Sequence, residues 1–267
     1  SYKYCYPLRE ISPTSIFPVL KKEGAPANDS TARDEYRQLY ENFMSDLKGL
    51  RHREENLALW LDHFDSLLLI HTSSVPAARA GTVIPDVSLY DHARATAAIA
   101  ASLYIYHRDQ NSMTEESVRN ESSPVFLLIG GDFYGIQNYI FSDSGEARKS
   151  RSKILRGRSF AVSLICELAA DLICRVIGLP STSVLLNAAG KFTIIAPNTA
   201  QARQAVAGAE EKINSWLIDV STGESALGIS TVAAAPADFV AGRFIAVYDR
   251  LTEAMAERKF RKFDLRR

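Results

Sequence analysis

The sequence predicts an α+β protein, a helical N-terminal segment followed by a ferredoxin-like βαββαβ domain. Three observations predict it. Apolar residues recur at steps of three and four between residues 31 and 71. Val125–Ile129 is an unbroken apolar run ended by Gly130-Gly131, as expected of a strand buried on both faces. Beyond it, helix-like and strand-like stretches alternate in the order β-α-β-β-α-β.

Residues 1–32 hold Pro7, Pro13, Pro18, Pro26 and Gly24 and read as an extended lead-in. Helices are expected over 31–50 and 54–71, the second with Leu57, Leu61, Phe64 and Leu68 on a buried face. A loop over 72–86 leads to a third helix with small residues at Ala97, Ala98 and Ala101. Residues 33–108 therefore form the helical part. Residues 109–122 are polar and read as the linker between domains.

The second domain, 123–267, opens with the strand at 125–129. A helix from Ser159 to Ile177 follows, with Ala161, Leu164, Ile165, Leu168, Leu172 and Val176 as its apolar stripe. Asp171 stands four residues before Arg175, the favourable ion-pair order, and Gly178 with Pro180 stops the helix. Val184–Leu186 and Phe192–Ile195 flank the turn Asn187-Ala188-Ala189-Gly190 as a hairpin. Asn198 is the expected cap of a helix reaching Leu217. A strand over Leu227–Ala235 and a charged helix over 240–260 complete the plan.

Lys+Arg and Asp+Glu balance at 31 each in 267 residues, which excludes a global basic field for nucleic acid and leaves only a local cluster. The three cysteines, Cys5, Cys166 and Cys174, form no paired framework, and the last two read as buried small hydrophobes in a reducing, cytoplasmic setting. Glu167, Asp171 and Arg175 interrupt the most apolar stretch, so no membrane span is expected. The opening Ser1-Tyr2-Lys3-Tyr4 reads as an internal cut of a longer protein.

Folds of this plan that transfer phosphoryl groups need two Mg²⁺ ions held by converging carboxylates, one at the end of the first strand and others at the hairpin turn. Asp132 fills the first position. The hairpin offers Asn187-Ala188-Ala189-Gly190 and then Lys191, a cation where a ligand is required. A lone carboxylate facing a lysine cannot seat a magnesium pair, so the domain is expected to bind rather than catalyse.

The stretch Gly130-Gly131-Asp132-Phe133-Tyr134-Gly135-Ile136-Gln137 has three glycines that let backbone approach a phosphate or base; the alternative is a tight turn leaving a central strand. Arg148, Lys149, Arg151, Lys153, Arg156 and Arg158 put six cations in eleven residues just before the long helix, whose N-terminal amides would add to a phosphate site; the alternative is a solvated basic loop. Asp91-His92 resembles a metal-binding HD pair, but adjacent ligands alone do not make a site.

The pattern GDFYGIQ at 131–137, LRGRSF at 155–160 and Ala196-Pro197-Asn198 resembles the large, polymerase-like subunit of type III CRISPR interference complexes, close to subtype III-A. Ile84–His92 and Thr96–Ala101, and Pro7-Leu8 through Ile16–Pro18, match the same family. The resemblance implies a fragment in which 33–108 is the remainder of an HD-type domain and 123–267 the first of two palm domains. The HD motif and the Gly-Gly-Asp-Asp hairpin of the second palm lie outside it.

By resemblance, ATP with Mg²⁺ binds between the palms and is made into cyclic oligoadenylate when target RNA is bound. Gly130, Asp132, Gly135, Gln137, Asn187 and Gly190, with Gly131 beside them, would then line one half of that site. Arg156–Ser159, with the basic cluster before it, would contact phosphate or RNA. Partners would be the other complex subunits and, through them, guide and target RNA. The family hairpin reads Gly-Gly-Gly, and here it is Ala188-Ala189-Gly190, where a Cβ narrows the approach or opposes positive φ. An autonomous diguanylate-cyclase-like enzyme and a purely structural assembly module are the alternatives.

Overall fold

A computed structural model describes residues 3–78, 84–141, 151–240 and 242–261. The chain divides into two compact units, 1–96 and 97–267.

In the first unit, β1 (Tyr4–Cys5) pairs antiparallel with β2 (Val19–Leu20), and one turn, α1 (Lys21–Gly24), follows. The lead-in expected to be extended thus holds a short strand pair. Helices α2 (Asp29–Gly49) and α3 (Leu57–Thr72) each begin at an asparagine whose side chain accepts the N–H three residues on: Asn28 from Thr31 at 3.0 Å, Asn56 from Leu59 at 3.1 Å.

The stripe expected on α3 does not form a buried face, since Leu57 is 57% exposed and Leu61 40%. Aromatic rings hold this helix instead. Trp60 stacks on Phe64 at 5.1 Å, and Phe64 meets Phe43 of α2 at 6.4 Å. His71 is fully buried, its Nε2 2.9 Å from Asp46 Oδ2.

Helix α4 (Leu89–Asp109) supplies residues to both units. Its Ala98, Ser102 and Ile105 are buried in the second, where the Ser102 hydroxyl donates to the Ile195 carbonyl at 3.1 Å. The two compact units divide inside α4, between Thr96 and Ala97, and the polar segment 109–122 contains the short helix α5 (Glu115–Val118).

The second unit is the predicted ferredoxin-like domain. Its elements are β3 (Phe126–Tyr134), α6 (Ile136–Phe141), α7 (Arg151–Ile177), β4 (Val184–Ala188), β5 (Lys191–Pro197), α8 (Ala200–Ser221), β6 (Ala226–Ala234) and α9 (Phe244–Lys259). The sheet is antiparallel throughout, in the order β4-β5-β3-β6. Leu127, Ile129 and Phe133 of the central strand pack with α7 and α8; Phe126 and Leu128 pack on the opposite face with α9 and α4. Strand β3 does not end at the glycine pair as expected but runs on through Tyr134, because β6 pairs with it over its whole length.

Helix α7 starts eight residues earlier than predicted and turns a different face inward. Val162, Cys166, Ala169, Ala170, Ile173 and Cys174 are buried, while Leu164, Leu168 and Val176 are 40%, 58% and 48% exposed. The larger side chains drew the expected stripe, yet the small ones allow close packing against α8. Both cysteines are core residues, and burial, with the Asp132 charge second, pushes the Cys166 thiol up to about 11. The Asp171–Arg175 pair forms at 2.6 Å, and Gly178, at φ +85°, ends the helix.

Helix α8 is capped by Thr199 rather than Asn198. Thr199 accepts from the Ala202 N–H at 3.1 Å, and Asn198 instead donates to the Pro124 carbonyl at 2.6 Å. Two further α8 residues cover the outer edge of β6. Asn214 accepts from the Leu227 N–H and donates to its carbonyl, both at 2.8 Å. Glu210 accepts from the Ile229 N–H at 2.9 Å and from Arg258 of α9 at 2.8 Å. Among the described residues, no helix is long and apolar enough to cross a membrane.

Candidate functional site

The predicted site residues converge where the tip of the β4–β5 hairpin meets the end of β3. The Gly190 carbonyl accepts from the Phe133 N–H at 2.8 Å, which closes the tip onto the central strand. Asp132 stands directly opposite Lys191 on β5 and Gly228 on β6. Asn187 and Lys191 are exposed at the tip, and Gln137 is exposed on α6. Cross-strand pairing puts Lys191 on the sheet face of Asp132 and Asn187 on the opposite face with Phe192.

The glycines divide by role. Ala189 and Gly190 carry φ of +54° and +80° and form the two-residue turn that matches the twist of a hairpin. Positive φ is thus not forbidden to alanine here; Ala189 adopts it at a cost, while Ala188 lies in β4 with ordinary backbone. Gly135, at φ +83°, lies so close to the Glu224 carbonyl that any Cβ would overlap it. Gly130 and Gly131 are buried within β3. A Cβ on Gly131 would enter the Phe192 ring, and one on Gly130 would meet Met255 and Leu251. Both are covered by the protein's own side chains, so their small size serves packing.

The Asp132 carboxyl is half-buried, and desolvation raises it above its ordinary value of 3.8 despite the opposing pull of Lys191 and Lys259. Tyr134 shares its face of β3. Its ring crosses Gly228, its hydroxyl is buried without a hydrogen-bond partner among the described residues, and burial with the Asp132 charge pushes it up to about 12. Among the described residues, no group of three or more His, Cys, Asp or Glu side chains is placed to hold a metal ion. One carboxylate with two lysines does not fit the donor set of a magnesium pair.

The basic cluster is placed differently from the expectation. Arg148 and Lys149 lie outside the described residues. Arg151, Lys153, Arg156, Arg158 and Ser159 lie within α7, so the amides near Ser159 are not those of a helix start. Arg151, Lys153, Arg156 and Ser159 are exposed, and Arg158 donates to the Ile140 carbonyl at 3.4 Å. Asp91 is engaged locally: the Ser88 hydroxyl accepts its N–H at 2.9 Å and donates to its carboxylate at 2.7 Å, a helix-start device, and His92 is exposed.

Sequence reasoning missed Tyr134, Gly228, Glu210, Arg258 and Lys259. A signal existed for Lys259, which follows Leu251 and Met255 at helical steps of four.

A family model described as Csm1 subunit domain B matches residues 125–267. The CRISPR system single-strand-specific deoxyribonuclease Cas10/Csm1 (subtype III-A) of Methanocaldococcus jannaschii is 26% identical over 264 residues, covering 86% of this chain and 32% of that protein. Its counterpart in Thermococcus onnurineus is 34% identical over 192 residues, covering 70% and 22%. Among solved structures, a Csm1–Csm4 cassette in complex with cA3 matches with a TM-score of 0.80 and 28% identity over 98% of this chain and 34% of that one. The cassette in complex with one ATP matches at 0.79 and 27%, over 97% and 33%. The chain spans about a third or less of the length of these relatives.

Proposed function

Because this chain belongs to the Csm1 family through its domain B, we propose that it forms one wall of an ATP site used for cyclic oligoadenylate synthesis in a type III-A interference complex. On this reading it is the first palm of a larger subunit that docks a Csm4-type partner, and the exposed basic residues Arg151, Lys153 and Arg156 face RNA or phosphate. It does not turn over nucleotide alone.

The observation that supports this best is the polar rim at the hairpin mouth, where Asp132 stands directly opposite Lys191 and the hairpin turn carries no acid. Such a rim positions a nucleotide and lacks the second acid that a phosphoryl-transfer metal pair needs. The solved cassettes that bind ATP and cA3 share the fold over almost the whole chain.

Calorimetric titration of the 267-residue chain with ATP, beside an oligoadenylate assay, tests the proposal. Saturable ATP binding without product is the expected result. Product from the chain alone would return the cyclase reading. Absence of binding at millimolar ATP would leave the structural-module reading, which the closed packing of Gly130 and Gly131 favours.

A further inference from the structure

Helix α9 tracks the central strand in register. Leu251 and Met255 lie over Gly130, and Lys259, one turn further on, is near enough for its charge to act on Asp132, the next residue on that face of β3. The last turn of α9 is fixed there by Arg258, whose guanidinium meets Glu210 at 2.8 Å while Glu210 also holds the β6 backbone. From the other side, Lys191 is the cross-strand partner of Asp132. Tyr134, with its buried hydroxyl unpartnered among the described residues, completes the face.

A palm carboxylate that held a divalent cation would need neighbours that share the metal. This one has two cations converging from different elements, both on exposed side chains. Both lysines act on the carboxylate through charge without closing an ion pair with it, and two positive charges beside one negative charge leave an excess positive charge. Each ammonium carries three donors, more than a single carboxylate between them can absorb.

We infer that Asp132, Lys191 and Lys259 form a metal-excluding anion site that takes the polyphosphate of a nucleotide through the two lysines. This deepens the proposed ATP reading and rests on it, by naming how this half of the site meets phosphate charge and by adding Lys259 from an element outside the recognised motif. Asp132 then sets the spacing of the ammonium groups and does not bind Mg²⁺.

The test uses the 267-residue chain with ATP and with inorganic tripolyphosphate, each in Mg²⁺ and in EDTA, together with Mn²⁺ titration followed by electron paramagnetic resonance. Affinity for ATP is expected to change less than about twofold on removing Mg²⁺, and no Mn²⁺ site that depends on Asp132 is expected. Lys191→Met and Lys259→Met should each weaken tripolyphosphate about fivefold, the size of one exposed charge contact, with Lys259→Arg restoring most of it. Wild-type folding of the Met variants is checked by circular dichroism, and the Arg variant decides the matter should either fold poorly. Tenfold tighter ATP binding in Mg²⁺, an Asp132-dependent Mn²⁺ signal, or unchanged binding in the lysine variants would overturn this inference and leave the ATP reading standing. Absence of any ATP binding would overturn both.

Discussion

Replacing Ala189 by glycine should stabilise the protein, although it removes a side chain. Ala189 sits at φ +54° at the exposed tip of the β4–β5 hairpin, where its Cβ gains no burial. A non-glycine residue in the left-handed region costs roughly 1–2 kcal/mol. Glycine's added freedom in the unfolded chain takes back about 0.5–1 kcal/mol. The net gain is about 0.5–1 kcal/mol, which at this chain length raises Tm by about 1–4 °C. Ala188→Gly is the matched control. It is equally exposed but lies in β4 with negative φ, so it should lose about 0.5–1 kcal/mol. Urea denaturation of both variants, read by circular dichroism, gives the two signs. If Ala188→Gly proves as stable as Ala189→Gly, or Ala189→Gly loses stability, the turn geometry argued here is wrong.

Four other outcomes are expected. Gly157 lies inside α7 with open space where a Cβ would stand, so Gly157→Ala should add about 0.5–1 kcal/mol in a thermal melt. Glu210→Ala leaves the Ile229 N–H and Arg258 without their shared acceptor and should cost about 1–3 kcal/mol by chemical denaturation. Asp132 has a folded-state pKa above its ordinary 3.8, so the unfolded chain ionises first and wild-type stability falls as pH rises from 3.8 through the folded value; Asp132→Asn should flatten that fall in melts across the range. Of the three thiols, half-buried Cys5 should react promptly with a disulfide reagent, while Cys166 and Cys174 should react only on unfolding.

The order of elements in the second unit was legible because each strand and helix announces its period locally. The buried cysteines and the stop at Gly178 were legible for the same reason. Which face of α7 turns inward was not, because Leu164 and Leu168 outweigh Cys166 and Ala170 in any count of hydrophobicity, while close packing against α8 selects small residues. Asp132 and Lys191 could be paired from the hairpin pattern. The helical steps to Lys259 and the strand alternation to Tyr134 were legible, but where α9 crosses the sheet and how the Tyr134 ring uses the room at Gly228 were not. The glycine pair misled for a related reason: a sequence shows that a Cβ is missing, and only the fold shows that Phe192 and Met255 use the room.

The covering of β6 by Asn214 and Glu210 makes the sheet polar in its growth. The N–H and carbonyl of Leu227 and the N–H of Ile229 are already bonded to side chains of α8, so no incoming strand can be hydrogen-bonded along that stretch without first stripping the helix. Strand β4, on the opposite flank, bears Leu185 and Leu186 and no charged residue. Extension of the sheet, whether by a neighbour in an assembly or by a misfolded copy, therefore has a direction written into it.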